Sequence, residues 1–204
     1  MRDGSVSKHD GVVVLAARVE GYCQMPLLRM REASFSNASV SAGPVTLDLG
    51  AGRRAALRFE TAQQATVVAL MASGIAKASN GCVLVGDYDP RVQSVHCKRI
   101  AAFVAHDPLG LDDAEFSRYV AYRAALWSVD LRSARTRARE LLERLDGMHE
   151  AFAYPLIGAL IAKPQLLVMD RPAPVYARNI LGVIDDVALL TTHVHAGSVA
   201  AFER

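Results

Sequence analysis

The sequence predicts an α/β fold, a mainly parallel sheet flanked by helices and preceded by a more antiparallel N-terminal β part. Three observations carry this. From residue 61 onward, strand-length apolar runs alternate with stretches of helical periodicity, the pattern of parallel strands joined by crossover helices. Before residue 61 the chain offers only short runs rich in β-branched residues, parted by turn-forming stretches. The run LLVM at 166–169 is apolar without alternation, as in strands buried on both faces.

The first strand is expected at 12–16. Its surroundings, GVVVLAA, have the apolar core of a secretory signal but lack a positively charged start and a small-residue cleavage site. Residues 45–49 alternate apolar and polar, and 55–59 follow the turn GAGRR. From Thr61 the run TAQQATVVALMASG reads as a mostly apolar helix on Ala65, Val68, Leu70 and Met71, with Gly74 as its stop. A strand at 82–85 lies between turn signals, and AAFVAHD forms another, ending at His106.

The middle of the chain is helical. Asp112 or Asp113 caps a helix carrying Phe116, Tyr119, Val120, Arg123 and Trp127. Asp130 opens a second, with Leu131, Ala134, Ala138, Leu141, Leu142 and Leu145 on one side and Gly147 at its end. An apolar helix follows around 156–162, then the strand 166–169, a short helix near 175–183 and a strand at 187–191. All 204 residues form one domain, with a helical subdomain at about 107–162.

Half the residues are hydrophobic (51%), 22% are charged and the net charge is +2, the profile of a soluble globular protein with no demand for an acidic partner. Cys23, Cys82 and Cys97 are odd in number and lack metal-ligand spacing, which reads as reduced thiols in the cytoplasm. The longest strongly apolar stretch, 151–162, contains Pro155 and falls short of the roughly 20 residues a bilayer span needs, so no direct membrane span is expected. Arg132, Arg135, Arg137, Arg139 and Arg144 interleave with Glu140 and Glu143, either as a basic docking face or as a solvated helix flank with i,i+4 pairs. No nucleic-acid motif accompanies them.

Three stretches carry a resemblance. VTLDLGAGRRAALRFETAQQATVVALMASGIAKASNGCVLVGDYDP, KPQLLVMDRP and VALLTTH, within about 45–195, resemble in order the nucleotide-binding subunit of ABC transporters. The resemblance implies a P-loop NTPase-like fold. It also implies ATP and Mg2+ as cofactors where the site still works, and none where it does not. The implied partners are a second ABC ATPase subunit, identical or different, and a membrane permease. The implied location is cytoplasmic, peripheral to the membrane through that partner.

The residues at the family's functional positions depart from its pattern. A phosphate loop needs glycines so that backbone N–H groups curl around phosphate, and a lysine to balance charge. Alignment by flanking elements puts Phe59 and Gln64 at the framing glycines and Ala65 at the lysine, while Thr66 keeps a hydroxyl suited to Mg2+. Asp170 stands where the family's acid helps hold Mg2+. Arg171 stands where a glutamate would take a proton from water, which a guanidinium that stays protonated cannot do. DGMHE, 146–150, replaces the signature loop and lacks its serine and glycine pair. His193 matches the switch histidine, and His106 stands at a glutamine that senses Mg2+ and contacts the membrane subunit. His193 and His195 with Asp170 do not make a typical metal constellation, so no metal site is expected from them.

These substitutions imply a catalytically degenerate subunit without ATPase activity alone, a structural or regulatory partner of an active ATPase subunit or permease. The segment 105–127 would serve docking, through Phe116, Tyr119 or Trp127 if these are not core residues. The alternatives are a weak Mg-dependent ATPase using Thr66, Asp170 and His193, with a base from Asp185, Asp186 or a partner, or a stand-alone scaffold. Tyr22 or Phe35 could still stack on a base.

Overall fold

A computed structural model describes residues 5–9, 12–16 and 25–195 apart from 181 and 185. Tyr22, Cys23 and Asp185 therefore lie outside the described residues. In chain order the elements are β1 (Ser5–His9), β2 (Val12–Ala16), β3 (Leu28–Ser36), β4 (Ser41–Leu49), β5 (Arg54–Phe59), α1 (Ala62–Ala72), β6 (Asn80–Val85), α2 (Ser94–Ile100) and β7 (Ala101–Val104). There follow α3 (Asp113–Leu126), α4 (Leu131–Arg144), α5 (Glu150–Leu160), β8 (Leu166–Asp170), α6 (Pro174–Asn179) and β9 (Ala188–Val194).

Two sheets form. The larger runs β1-β2-β5-β9-β8-β7, with β5, β9, β8 and β7 parallel and β1 and β2 antiparallel at one side. The smaller, β4-β3-β6, is antiparallel throughout. Alternation along β8 divides the core in two, because successive side chains point to opposite faces. Leu167 and Met169 face α3, α4, α5 and α6, whereas Leu166 and Val168 face α1 and the smaller sheet. The non-alternating apolar run is buried on both sides, as its composition requires.

Three elements go beyond the sequence reading: β1, β3 and α2. The strand predicted to end at His106 ends at Val104, and the apolar helix expected at 156–162 starts at Glu150. Pro155 sits inside that helix and has no N–H for the carbonyl of Ala151. Leu109 supplies one instead, its backbone N–H donating to Ala151 O at 2.8 Å. The last carbonyls of the same helix are orphans that need outside donors. Arg123 Nε reaches Gly158 O at 2.9 Å and Arg137 Nε reaches Leu160 O at 3.0 Å. Arg144 donates to the carbonyl of Gly182. Arg137 and Arg144 of the basic α4 therefore hold backbone carbonyls, Arg137 half-buried and Arg144 exposed.

Gly158 also permits a close approach, since a Cβ there would stand 2.4 Å from the Tyr119 ring. Phe116 is buried and stacks on Tyr154 at 3.8 Å between ring centroids. Tyr119 and Trp127 are half-buried, with the Arg123 guanidinium over both rings. The exposed large apolar residues of α3 are Tyr122 and Leu126 instead. Among the described residues, no helix is long and apolar enough to cross a membrane.

Candidate functional site

β5 ends on buried Phe59, and only Glu60 and Thr61 separate it from α1. Thr61 caps that helix: its hydroxyl accepts from Gln64 N at 3.3 Å, and the Gln64 side chain accepts from Thr61 N at 3.2 Å. This reciprocal capping box satisfies two N-terminal donors of the helix within the chain. Gln64 Nε2 goes further, to Ser41 O at 3.2 Å. The residues that align with the phosphate loop are helical from Ala62 on, so their backbone does not curl into a loop around phosphate. Ala65, at the lysine position, is fully buried in the core.

One helical step later, Thr66 faces the C-terminal end of β8, where parallel register sets Asp170 beside Thr192 of β9. The Asp170 carboxylate, only 2% exposed, collects four donors. Thr66 Oγ1 lies 2.6 Å from Oδ2, and Thr192 Oγ1 3.1 Å from Oδ1. Arg171 adds Nε at 3.1 Å to Oδ1 and Nη2 at 3.3 Å to Oδ2, and the same Nη2 lies 3.3 Å from Thr66 Oγ1. Buried carboxylates need such compensation, and a guanidinium offers it in a flat two-pronged form.

Neighbouring residues of an extended strand point to opposite faces, so Arg171 should turn away from Asp170. It does not, because its backbone adopts φ +45°, a left-handed conformation uncommon outside glycine. The Arg171 N–H donates to Thr192 O at 2.9 Å, and its carbonyl accepts from His106 Nδ1 at 2.8 Å. A carbonyl can only accept, so His106 carries its proton on Nδ1. Thr192 was not among the residues singled out in the sequence, although a hydroxyl in the strand beside Asp170 was available to be noticed.

His193 is 5% exposed, with Nε2 2.8 Å from Thr191 Oγ1. Burial, with the Arg58 charge as a second cause, pushes its pKa down to about 4, so the ring is neutral near pH 7. Asp186 precedes β9, at the opposite end of that strand from Thr192 and hence from Asp170, which removes it as a substitute base. Phe35 is half-buried against the core of the smaller sheet.

No family model matches the chain. The sulfate/thiosulfate import ATP-binding protein CysA of two Xylella fastidiosa strains is 27% identical over 153 residues, covering 68% of this chain and 44% of each relative. The chain thus spans less than half the length of these curated relatives. Among solved structures, an ATP-binding subunit of an ABC transporter superposes with a TM-score of 0.65 at 15% identity, over 82% of this chain and 79% of the other. CbiO1 of Clostridium perfringens, part of the transporter complex cbiONQ, gives 0.64 at 14% identity, over 83% and 79%. A dimeric ATP-binding cassette, MJ0796, with ADP and Pi bound, gives 0.66 at 11% identity, over 86% and 90%. In sequence and in fold, the chain resembles the nucleotide-binding subunit of ABC transporters.

Proposed function

We propose that this chain is a nucleotide-binding-type subunit of an ABC transporter that has given up ATP hydrolysis and serves as a structural or regulatory partner. The observation that carries this reading is the Arg171 guanidinium, which lies against both Thr66 and Asp170. As they stand, these residues do not fit a magnesium-bound nucleotide. The oxygens that would face the ion already face a cation, the connection before α1 is two residues long, and the lysine position is a buried alanine. Arg171 also cannot act as a general base.

In this reading the partners are an active ATPase subunit, of the same or a different chain, and a membrane permease that holds the protein at the cytoplasmic face. The segment 107–162 acts as a helical subdomain, and exposed Tyr122 and Leu126 of α3 give it an apolar surface for such a partner. A subunit without chemistry still influences its partner if it binds the open and closed states unequally.

Calorimetric titration of the purified chain with Mg-ATP, together with an assay of phosphate release, tests the reading. No binding heat and no phosphate release are expected. Micromolar binding or turnover by the unmodified chain would overturn it.

A further inference from the structure

We propose that the Arg171 guanidinium is a built-in substitute for a divalent cation, joining α1 to the end of β8 without metal or nucleotide and excluding a metal ion from the same oxygens. This deepens the reading above, and rests on it for the role of the site. The set of groups is the first support. The Thr66 hydroxyl, both Asp170 carboxylate oxygens and the Thr192 hydroxyl are all hard oxygen donors, the kind that Mg2+ and Mn2+ select. A carboxylate this buried requires a positive partner, and the Arg171 side chain, 24% exposed, is the ion-pair partner at 3.1 Å.

The second support is how the arginine gets there. Residues 170 and 171 would diverge on a regular strand, and only the left-handed backbone at Arg171 brings its side chain back over Asp170. That conformation is fixed from both sides, by Thr192 O on its N–H and by His106 on its carbonyl. An unfavoured backbone held by two residues, and directing a cation onto three oxygens, is an arrangement rather than a passing surface contact. A guanidinium and a divalent ion repel each other and need the same lone pairs, so occupancy by one excludes the other.

The test compares the unmodified chain with Arg171→Ala, Arg171→Gln and the double variant Asp170→Asn/Arg171→Ala. Mn2+ binding is followed by the loss of the free-ion electron spin resonance signal, and Tm is measured with and without millimolar Mn2+. The unmodified chain is expected to bind no Mn2+ and to keep its Tm. Arg171→Ala should lose about 5 °C or more, recover part of it with Mn2+ and bind about one ion per chain. The double variant should show no response to Mn2+.

Mn2+ binding by the unmodified chain, or an Arg171→Ala chain with unchanged Tm or without Mn2+ binding, would overturn the proposal. Should Arg171→Ala fail to fold, Arg171→Gln keeps side-chain length without charge and is read by the same criteria. The two readings fail separately. Mg-ATP binding by the unmodified chain sinks the loss of nucleotide chemistry, whereas indifference of the Arg171 variants to Mn2+ sinks only the cation role.

Discussion

Thr66 Oγ1 and Asp170 Oδ2 lie 2.6 Å apart across 104 residues of sequence, tying the helix that follows β5 to the last residue of a strand buried on both faces. Thr66→Val keeps the shape and removes the hydroxyl, along with its contact to Arg171. A loss of about 1–2 kcal/mol is expected, read as a fall of a few °C in Tm. An unchanged melting curve would show that the bond contributes nothing net.

Arg171→Glu places the family's carboxylate at its position but sets it beside Asp170, whose side chain is 3% exposed. Two like charges replace an ion pair, and a loss of roughly 3 kcal/mol or more follows. ATP turnover should not appear, since Glu60 and Thr61 remain the entire connection to α1. A gain in phosphate release would contradict this.

Ala65→Lys should not restore a phosphate site either. Ala65 is fully buried in the core beneath α1, so an ammonium there lacks both water and a counter-charge. The expected result is a loss of several kcal/mol or failure to accumulate as folded protein. Circular dichroism melts and soluble yield report it directly.

Gly158→Ala drives a methyl to 2.4 Å from the Tyr119 ring. Overpacking of this kind costs about 1–3 kcal/mol. Combining it with Tyr119→Leu should recover part of the loss, and purely additive effects in the double-mutant cycle would show that the two residues do not meet.

His193 gives a pH dependence. Its folded pKa is lowered from 6.5 to about 4, so the unfolded chain takes up a proton first as pH falls. The stability associated with the neutral buried ring is complete above about pH 6.5, declines on acidification and levels off below about pH 4. The difference in unfolding free energy between the unmodified chain and His193→Gln should shrink across that window, by roughly 3 kcal/mol at most. A constant difference from pH 7.5 to pH 4 would be inconsistent with a buried neutral histidine.

What could be read from the sequence followed periodicity. The double-sided burial of β8, the amphipathic α4 and the capped α3 announced themselves through apolar spacing and the acids before them. β3 did not, because register shifts between Met30, Ala33 and Phe35 and a positive φ at Glu32 break its alternation. α2 buries only Cys97 and so has no apolar stripe to detect. At the site, the identities of Thr66, Asp170 and Arg171 were legible one by one. Their meeting was not: strand geometry alone turns residue 171 away from residue 170, and the left-handed turn that reverses this has no glycine to mark it.

The hydrogen bond that fills the gap left by Pro155 has a mechanical side. His106 is fastened to the Arg171 carbonyl and Leu109 to the Ala151 carbonyl, so a leash of three residues, about 10 Å at full stretch, runs from the ion-pair cluster to α5. One short stretch of chain thus joins the helical layer to the peptide unit whose handedness decides where the arginine points.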